Sequence, residues 1–207
     1  MRGIRARRGP NRRTGSDVAG QVQVMRKLIA WNVMTLDGYF EGDAPWQLDF
    51  HEMVWGEELE RFSLDQAGDM DILLFGRRTY EGMAAYWSDK TGAIADFMNA
   101  VEKRVASRTL AAVEWTNARL IEGDVVAAVR ALKREPGRNI YVFGSADLLA
   151  TLLGNDLVDE YRICLAPVVR GSGSPLFGPG GKPQRMRLLE ARQLATGGVI
   201  LRYALGG

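Results

Sequence analysis

Apolar runs and apolar stripes alternate along the chain from Lys27 onward, and their spacing predicts an order of strands and helices. Lys27 to Met34 reads as a first strand that leaves through the turn Thr35-Leu36-Asp37-Gly38. A loop through Gly42, Pro45 and Trp46 leads into a helix over about Phe50 to Gln66. The continuous run Ile72-Leu73-Leu74-Phe75 is an interior strand, followed at Gly76 by a turn and a short helix that carries Tyr80 toward Met83. Ile94, Phe97, Met98 and Val101 recur at helical spacing, as do Val125, Val129 and Leu132 after Gly123-Asp124. Lys103 to Leu110 contains a short strand, Ala118 to Ile121 a weak one and Ile140 to Phe143 a strong one. Leu148, Leu149, Leu152 and Leu153 then share one helix face. Glu160 to Val168 is a further strand, and Met186 to Leu194 and Val199 to Leu205 meet at Thr196-Gly197-Gly198 as a hairpin.

A βαβ body closed by a hairpin is the pattern of an α/β fold with a mixed, mainly parallel sheet and helices on both faces. Ligands in such sheets bind at the carboxyl ends of the strands. The turns after Phe75, Ala106 and Phe143 all fall on that edge, so they form one candidate site.

At the first of these turns a buried strand runs into Gly76, Arg77, Arg78 and Thr79. Gly76 lets the backbone approach a ligand closely, and Thr79 is placed to cap a helix whose free N–H groups attract an anion. The alternative is an ordinary turn with solvated arginines. Phe143-Gly144-Ser145-Ala146 repeats the order of strand, glycine turn and helix, and two phosphate-type turns suit a dinucleotide. Neither turn is a G-x-G-x-x-G fingerprint, and no acidic residue stands where a Rossmann unit places its ribose ligand. Ser107, Arg108 and Thr109 end the short strand begun at Lys103. Hydroxyls beside a guanidinium are donors for a 2′-phosphate, which favours NADPH over NADH; the other reading is a polar turn at a strand end.

Composition narrows the partners. At 207 residues and 46% hydrophobic content the chain buries one substantial core, a single domain over residues 25–207. In the first 24 residues six arginines stand against one acid, Asp17, a balance of +5. With the chain at +2 overall, the body carries −3, so the basic pI belongs to a tail and no nucleic-acid partner is expected of the body. The tail has no apolar h-region and reads as a disordered leader or an over-extended start, or else as a weak nucleic-acid contact or transit-like segment. No membrane segment is expected. Cys164 is the only cysteine, which points to a cytoplasmic setting without a disulfide or cysteine metal cluster. His51 is the only histidine, which removes Ser-His-Asp catalysis elsewhere and nearly every His-based metal site.

Thr35-Leu36-Asp37-Gly38, Gly76-Arg77-Arg78-Thr79-Tyr80-Glu81, Ser107-Arg108-Thr109-Leu110, Gly144-Ser145, Leu157-Val158-Asp159-Glu160 and Pro167 to Phe177 together resemble the dihydrofolate reductase superfamily. The similarity runs from about Met25 to Leu205 and is nearest to the reductase domain of the bifunctional riboflavin-biosynthesis deaminase-reductase and its stand-alone bacterial relatives. It implies a three-layer α-β-α fold with an eight-stranded sheet, NADPH as hydride donor and a pterin-like or pyrimidine-like acceptor. By resemblance, Gly76, Arg77, Arg78 and Thr79 contact cofactor phosphates, Ser107, Arg108 and Thr109 the 2′-phosphate side, and Gly144, Ser145 and Ala146 the pyrophosphate. Asp37 is the catalytic candidate, and Trp46, Tyr80, Trp87 and Phe177 are candidate substrate contacts. A homodimer through the sheet edge is also implied.

The chain departs from the riboflavin-pathway reductases at the last turn, where they carry Glu-Gly-Gly and it has Phe143-Gly144-Ser145. An apolar ring cannot replace a carboxylate acceptor. It also has no zinc-ligand set of histidine and cysteines for a deaminase. Asp49, Glu52, Glu57 and Glu58 are available as a pterin-holding acid, and spacing singles out none of them. Hydride chemistry resides in the cofactor, so no protein nucleophile is required. Asp37 is either a polar group near the reacting centre or a carboxylate capping its own turn. Trp31, Trp46, Tyr86 and Trp87 either wall a pocket or belong to the core. The rival reading is a nucleotide-binding protein that keeps the fold without turnover; a flavin-using reductase is a third.

Overall fold

The computed structural model describes residues 25–178 and 183–206. The leader predicted over residues 1–24 lies outside the described residues. Eight strands form one sheet: β1 (Leu28–Thr35), β3 (Met70–Gly76), β4 (Glu102–Ala106), β5 (Ala118–Leu120), β6 (Asn139–Phe143), β7 (Glu160–Ala166), β9 (Met186–Gln193) and β10 (Val199–Leu205). Their order is β5-β4-β3-β6-β1-β7-β10-β9. Every pairing is parallel except those of β10 with β7 and β9, which make the predicted terminal hairpin.

Alternation along β1 separates two layers of core. Leu28 and Ala30 join the cluster under α4 (Val125–Arg134) and α5 (Ala146–Leu153), while Ile29 and Val33 pack under α1 (Glu57–Asp69), α2 (Arg77–Trp87) and α3 (Ala93–Ala100). Helices therefore cover both faces, which is why the central strands are apolar throughout instead of alternating. No helix among the described residues is long and apolar enough to cross a membrane.

Several predicted boundaries shift for identifiable reasons. The helix expected over about Phe50 to Gln66 is two elements, a 3-10 turn at Asp49–His51 and then α1, whose first turn gathers Glu57, Glu58 and Glu60 at the positive end of the helix. A small ribbon absent from the sequence reading pairs β2 (Tyr39–Glu41) with β8 (Ser174–Pro175). The helix after β3 begins at Arg77 with Gly76 as its N-cap, so both arginines occupy its first turn and Thr79 is not a cap.

The amino-terminal edge of the sheet, opposite the strand ends that carry the site, is held by ions. Glu160, 2% exposed, accepts hydrogen bonds from Arg162 at 2.7 Å and Arg202 at 2.9 Å. Arg162 also donates to Asp69 at 3.1 Å and lies over the Tyr141 ring, and Arg202 reaches Glu190 on β9 at 3.1 Å. This network ties β7, β9 and β10 to the end of α1.

Candidate active site

A cleft of about 1940 Å³ opens at the carboxyl ends of β1, β3, β4 and β6. Ser145 lies on its wall. The Ser145 hydroxyl accepts the Gly76 N–H at 2.9 Å and shares a hydrogen bond with the Thr79 hydroxyl at 2.6 Å. One side chain thus pins the turn after β6 to the turn after β3. Gly76 is required by this close approach: a Cβ there would fall 2.6 Å from Ser145 Oγ. Gly144 and Ser145 both have φ +57°, a left-handed pair that turns the chain into α5 and presents backbone N–H groups at its start. The Gly144 N–H donates to Asn32 Oδ1 on β1 at 2.9 Å, which fixes the turn from a third strand.

At the end of β4, Ser107 Oγ accepts the Thr109 and Leu110 N–H groups, leaving the hydroxyl proton to donate. Ser107 and the exposed Arg108 line the cleft beside Arg77 and Arg78. Arg77 lies 3.8 Å from Glu81 in a loose surface contact that an anion displaces cheaply, whereas the exposed Arg78 lies 3.4 Å from Glu41, whose largely buried carboxylate also accepts the Trp46 N–H.

Beyond Asn32 the wall is aromatic and apolar: Trp31, Trp46, Trp55, Met83 and Trp87 line it, together with Gln66 and His51. Burial, against a smaller opposing effect of Asp49, lowers His51 to about 4, so its imidazole is neutral at physiological pH. Trp46 adopts φ +61°, its N–H donating to Glu41 Oε1 at 2.8 Å. Its indole rests on Gly82 of α2, where an added Cβ would lie inside the ring. Gly82→Ala should therefore unseat Trp46. The better helix propensity of alanine, about 1 kcal/mol, offsets lost packing, so the melting midpoint moves little while tryptophan emission shifts to the red. Unchanged emission would contradict this seat.

Of the predicted site residues, the cleft brings together Gly76, Arg77, Arg78, Thr79, Ser107, Arg108, Gly144, Ser145, Ala146, Trp46 and Trp87. Four lie elsewhere. Asp37 accepts hydrogen bonds from the Thr35 hydroxyl at 2.6 Å, the Gly171 N–H at 2.7 Å and the Arg170 N–H, bonds that hold its carboxyl down at about 2. It is an ionised clasp on the loop leading to β8. Tyr80 is buried in the core, its hydroxyl accepting the Glu114 and Trp115 N–H groups. Thr109 uses its N–H on Ser107, and Phe177 packs edge-on against Tyr161 at 5.4 Å. Asn32 was not singled out by its sequence context, although an amide within the apolar run Leu28-Ile29-Ala30-Trp31-Asn32-Val33-Met34 is the available signal. Among the described residues, no three His, Cys, Asp or Glu side chains gather as a metal site.

The arrangement has anion-holding groups at one end and an aromatic chamber at the other. Among solved structures, a putative riboflavin biosynthesis protein from Shewanella sp. PV-4 superposes with a TM-score of 0.71 at 20% identity, covering 87% of this chain and 99% of that one. RibD of Acinetobacter baumannii superposes with a TM-score of 0.66 at 13% identity, over 88% of this chain and 59% of that one. The Bacillus subtilis (strain 168) protein YyaP is 27% identical over 190 residues, 88% of this chain and 96% of its own length. A family model described as the RibD C-terminal domain matches residues 26–200, and the chain belongs to that family, a branch of the dihydrofolate reductase superfamily.

Proposed function

We propose that the protein is an NADPH-dependent reductase acting on a small heterocyclic acceptor. The observation that carries this reading is the Ser145 pin, which holds both phosphate-type turns on one sheet edge, with Ser107 and Arg108 on the next strand. The N–H groups opening α5 suit a pyrophosphate, and Arg77, Arg78, Arg108 and Ser107 suit a 2′-phosphate. NADPH, when bound, supplies a hydride; the chain's own residues bind, orient and exclude water. Asn32 fixes Gly144, Trp46 and Trp87 flank the chamber, and water carries the proton, since Asp37 does not line the cleft and its carboxylate is taken up by Thr35, Arg170 and Gly171. The double variant Arg77→Ala with Arg78→Ala should weaken NADPH about tenfold or more and NADH less, since a charge-assisted hydrogen bond contributes roughly 1.5–3 kcal/mol. Equal loss for both nucleotides would mean that these arginines do not read the 2′-phosphate.

The position of Asp37 favours one alternative, a cytoplasmic nucleotide-binding protein without turnover. Tight NADPH binding with no oxidation across pterins, pyrimidines and quinoid acceptors would select it. As to assembly, β9 is the sheet's outer strand on the hairpin side, and Met186, Leu188 and Leu189 on it are 39%, 50% and 38% exposed. We propose that a second copy covers this edge in a twofold dimer. Light scattering at micromolar concentration should give twice the chain mass of 22.9 kDa, and a monomer mass would refute the dimer.

A further inference from the structure

One carboxylate joins the two ends of the cleft. The side chain of Glu41, on β2, is 13% exposed. Its Oε1 accepts the Trp46 N–H at 2.8 Å, and its Oε2 lies 3.4 Å from both the Arg78 guanidinium and the Ser174 hydroxyl of β8. Among the described residues Arg78 is the cation that Glu41 pairs with, while Arg170 is committed to Asp49 at 2.9 Å. Arg78 and Gly82 stand four residues apart on α2 and share a face, and the Trp46 indole lies on Gly82. The segment that begins at β2 therefore sits across α2 at two points, Glu41 on Arg78 and Trp46 on Gly82.

The two contacts are not independent. Trp46 adopts φ +61°, a region sparsely populated by residues other than glycine, and the Glu41 carboxylate is the acceptor that holds its N–H there. A phosphate arriving at the cofactor end competes for Arg78, and a phosphate oxygen takes a guanidinium in a shorter and stronger hydrogen bond than the 3.4 Å contact to Glu41. Losing that cation leaves a largely buried carboxylate with neutral donors alone, a charge desolvated without compensation. Turning outward restores its water and gives up the Trp46 N–H.

Building on the cofactor reading, we infer that Glu41 is a positioning residue that couples the two ends of the cleft: its carboxylate occupies Arg78 in the free protein, and a nucleotide phosphate that takes Arg78 unseats Trp46 from α2. The aromatic wall of the chamber is thereby set by whether the cofactor is present. By linkage the coupling runs both ways, so the Glu41 contact also opposes the phosphate, and removing its charge strengthens nucleotide binding.

Adenosine 2′,5′-bisphosphate, which carries phosphates but no nicotinamide to quench indoles, tests this when titrated into the full-length protein. Its binding should shift tryptophan emission to the red, a shift that Trp46→Phe abolishes. Glu41→Gln keeps an acceptor for the Trp46 N–H but loses the charge that holds Arg78. It should bind the probe about fivefold more tightly, the ratio equivalent to about 1 kcal/mol, and show no shift. A purely structural Glu41 would give weaker or unchanged binding in this variant, and either result overturns the coupling, as does a shift of parent size. Arg78→Ala reads the same coupling without nucleotide: with its cation gone, Glu41 should release Trp46, and the emission of the free variant should already lie to the red. Absence of probe binding to parent and variants alike defeats the cofactor reading, whereas an unshifted Arg78→Ala defeats the coupling, so the two failures are told apart.

Discussion

Glu160→Ala should destabilise the protein by about 3 kcal/mol, visible as a lowered denaturant midpoint. Its carboxylate is the shared acceptor of Arg162 and Arg202 and lies 3.7 Å from the Lys27 ammonium. Removing one partner of a buried ionic cluster costs about 3–5 kcal/mol because the charges left behind stay desolvated. Asp69 still pairs with Arg162, and Glu190 with Arg202, which places the effect at the lower end. Burial pushes the Glu160 carboxyl up, but Arg162 and Arg202 outweigh it and hold the group below the usual glutamate range. A carboxyl lowered in the native state contributes its stability in full above its unfolded value, about 4.3, and loses it as pH falls through the native one. The variant and the parent should therefore converge in stability under acid. A stability difference that persists unchanged below about pH 3 would contradict an electrostatic origin.

Ser145→Ala should have the larger functional consequence. The hydroxyl is the acceptor for the Gly76 N–H and the partner of the Thr79 hydroxyl, and a half-buried donor left unpaired costs about 1–3 kcal/mol. We expect about 2 kcal/mol of lost stability and roughly tenfold weaker NADPH binding, as the turns after β3 and β6 separate. Ser145→Thr keeps the hydroxyl but places a β-branched residue at φ +57°, a conformation such side chains resist, so it should also be impaired. If Ser145→Ala loses stability while NADPH affinity stays at the parent value, the pin is structural and the two turns do not act on one ligand.

These effects differ in how far the chain's pattern foreshadowed them. The strands buried on both faces announced themselves as apolar runs, and Ile72 to Phe75 and Ile140 to Phe143 led directly to the two turns that Ser145 joins. The ribbon of β2 and β8 had no such signal, since three half-buried residues and two more carry no readable period. Asp37 and Tyr80 carry motif residues whose partners, Gly171 and Trp115, are brought in only by tertiary structure. The same is true of Gly76 and Gly82. Each is required not by its backbone angles but by a side chain arriving from elsewhere, Ser145 in one case and Trp46 in the other. Periodicity located the edge of the sheet that carries the cleft; which groups face one another across it depended on contacts distant in sequence.

The most direct test of the reductase reading is equilibrium titration of the purified protein with NADPH and NADH, followed by quenching of tryptophan emission and the rise of nicotinamide fluorescence. Trp31, Trp46, Trp55 and Trp87 around the cleft make the signal local to the site. Micromolar binding with NADPH preferred about tenfold is the expected result, the preference reflecting one or more charge-assisted contacts to the 2′-phosphate. Binding of neither nucleotide would contradict the cofactor site and leave a reductase fold put to another use.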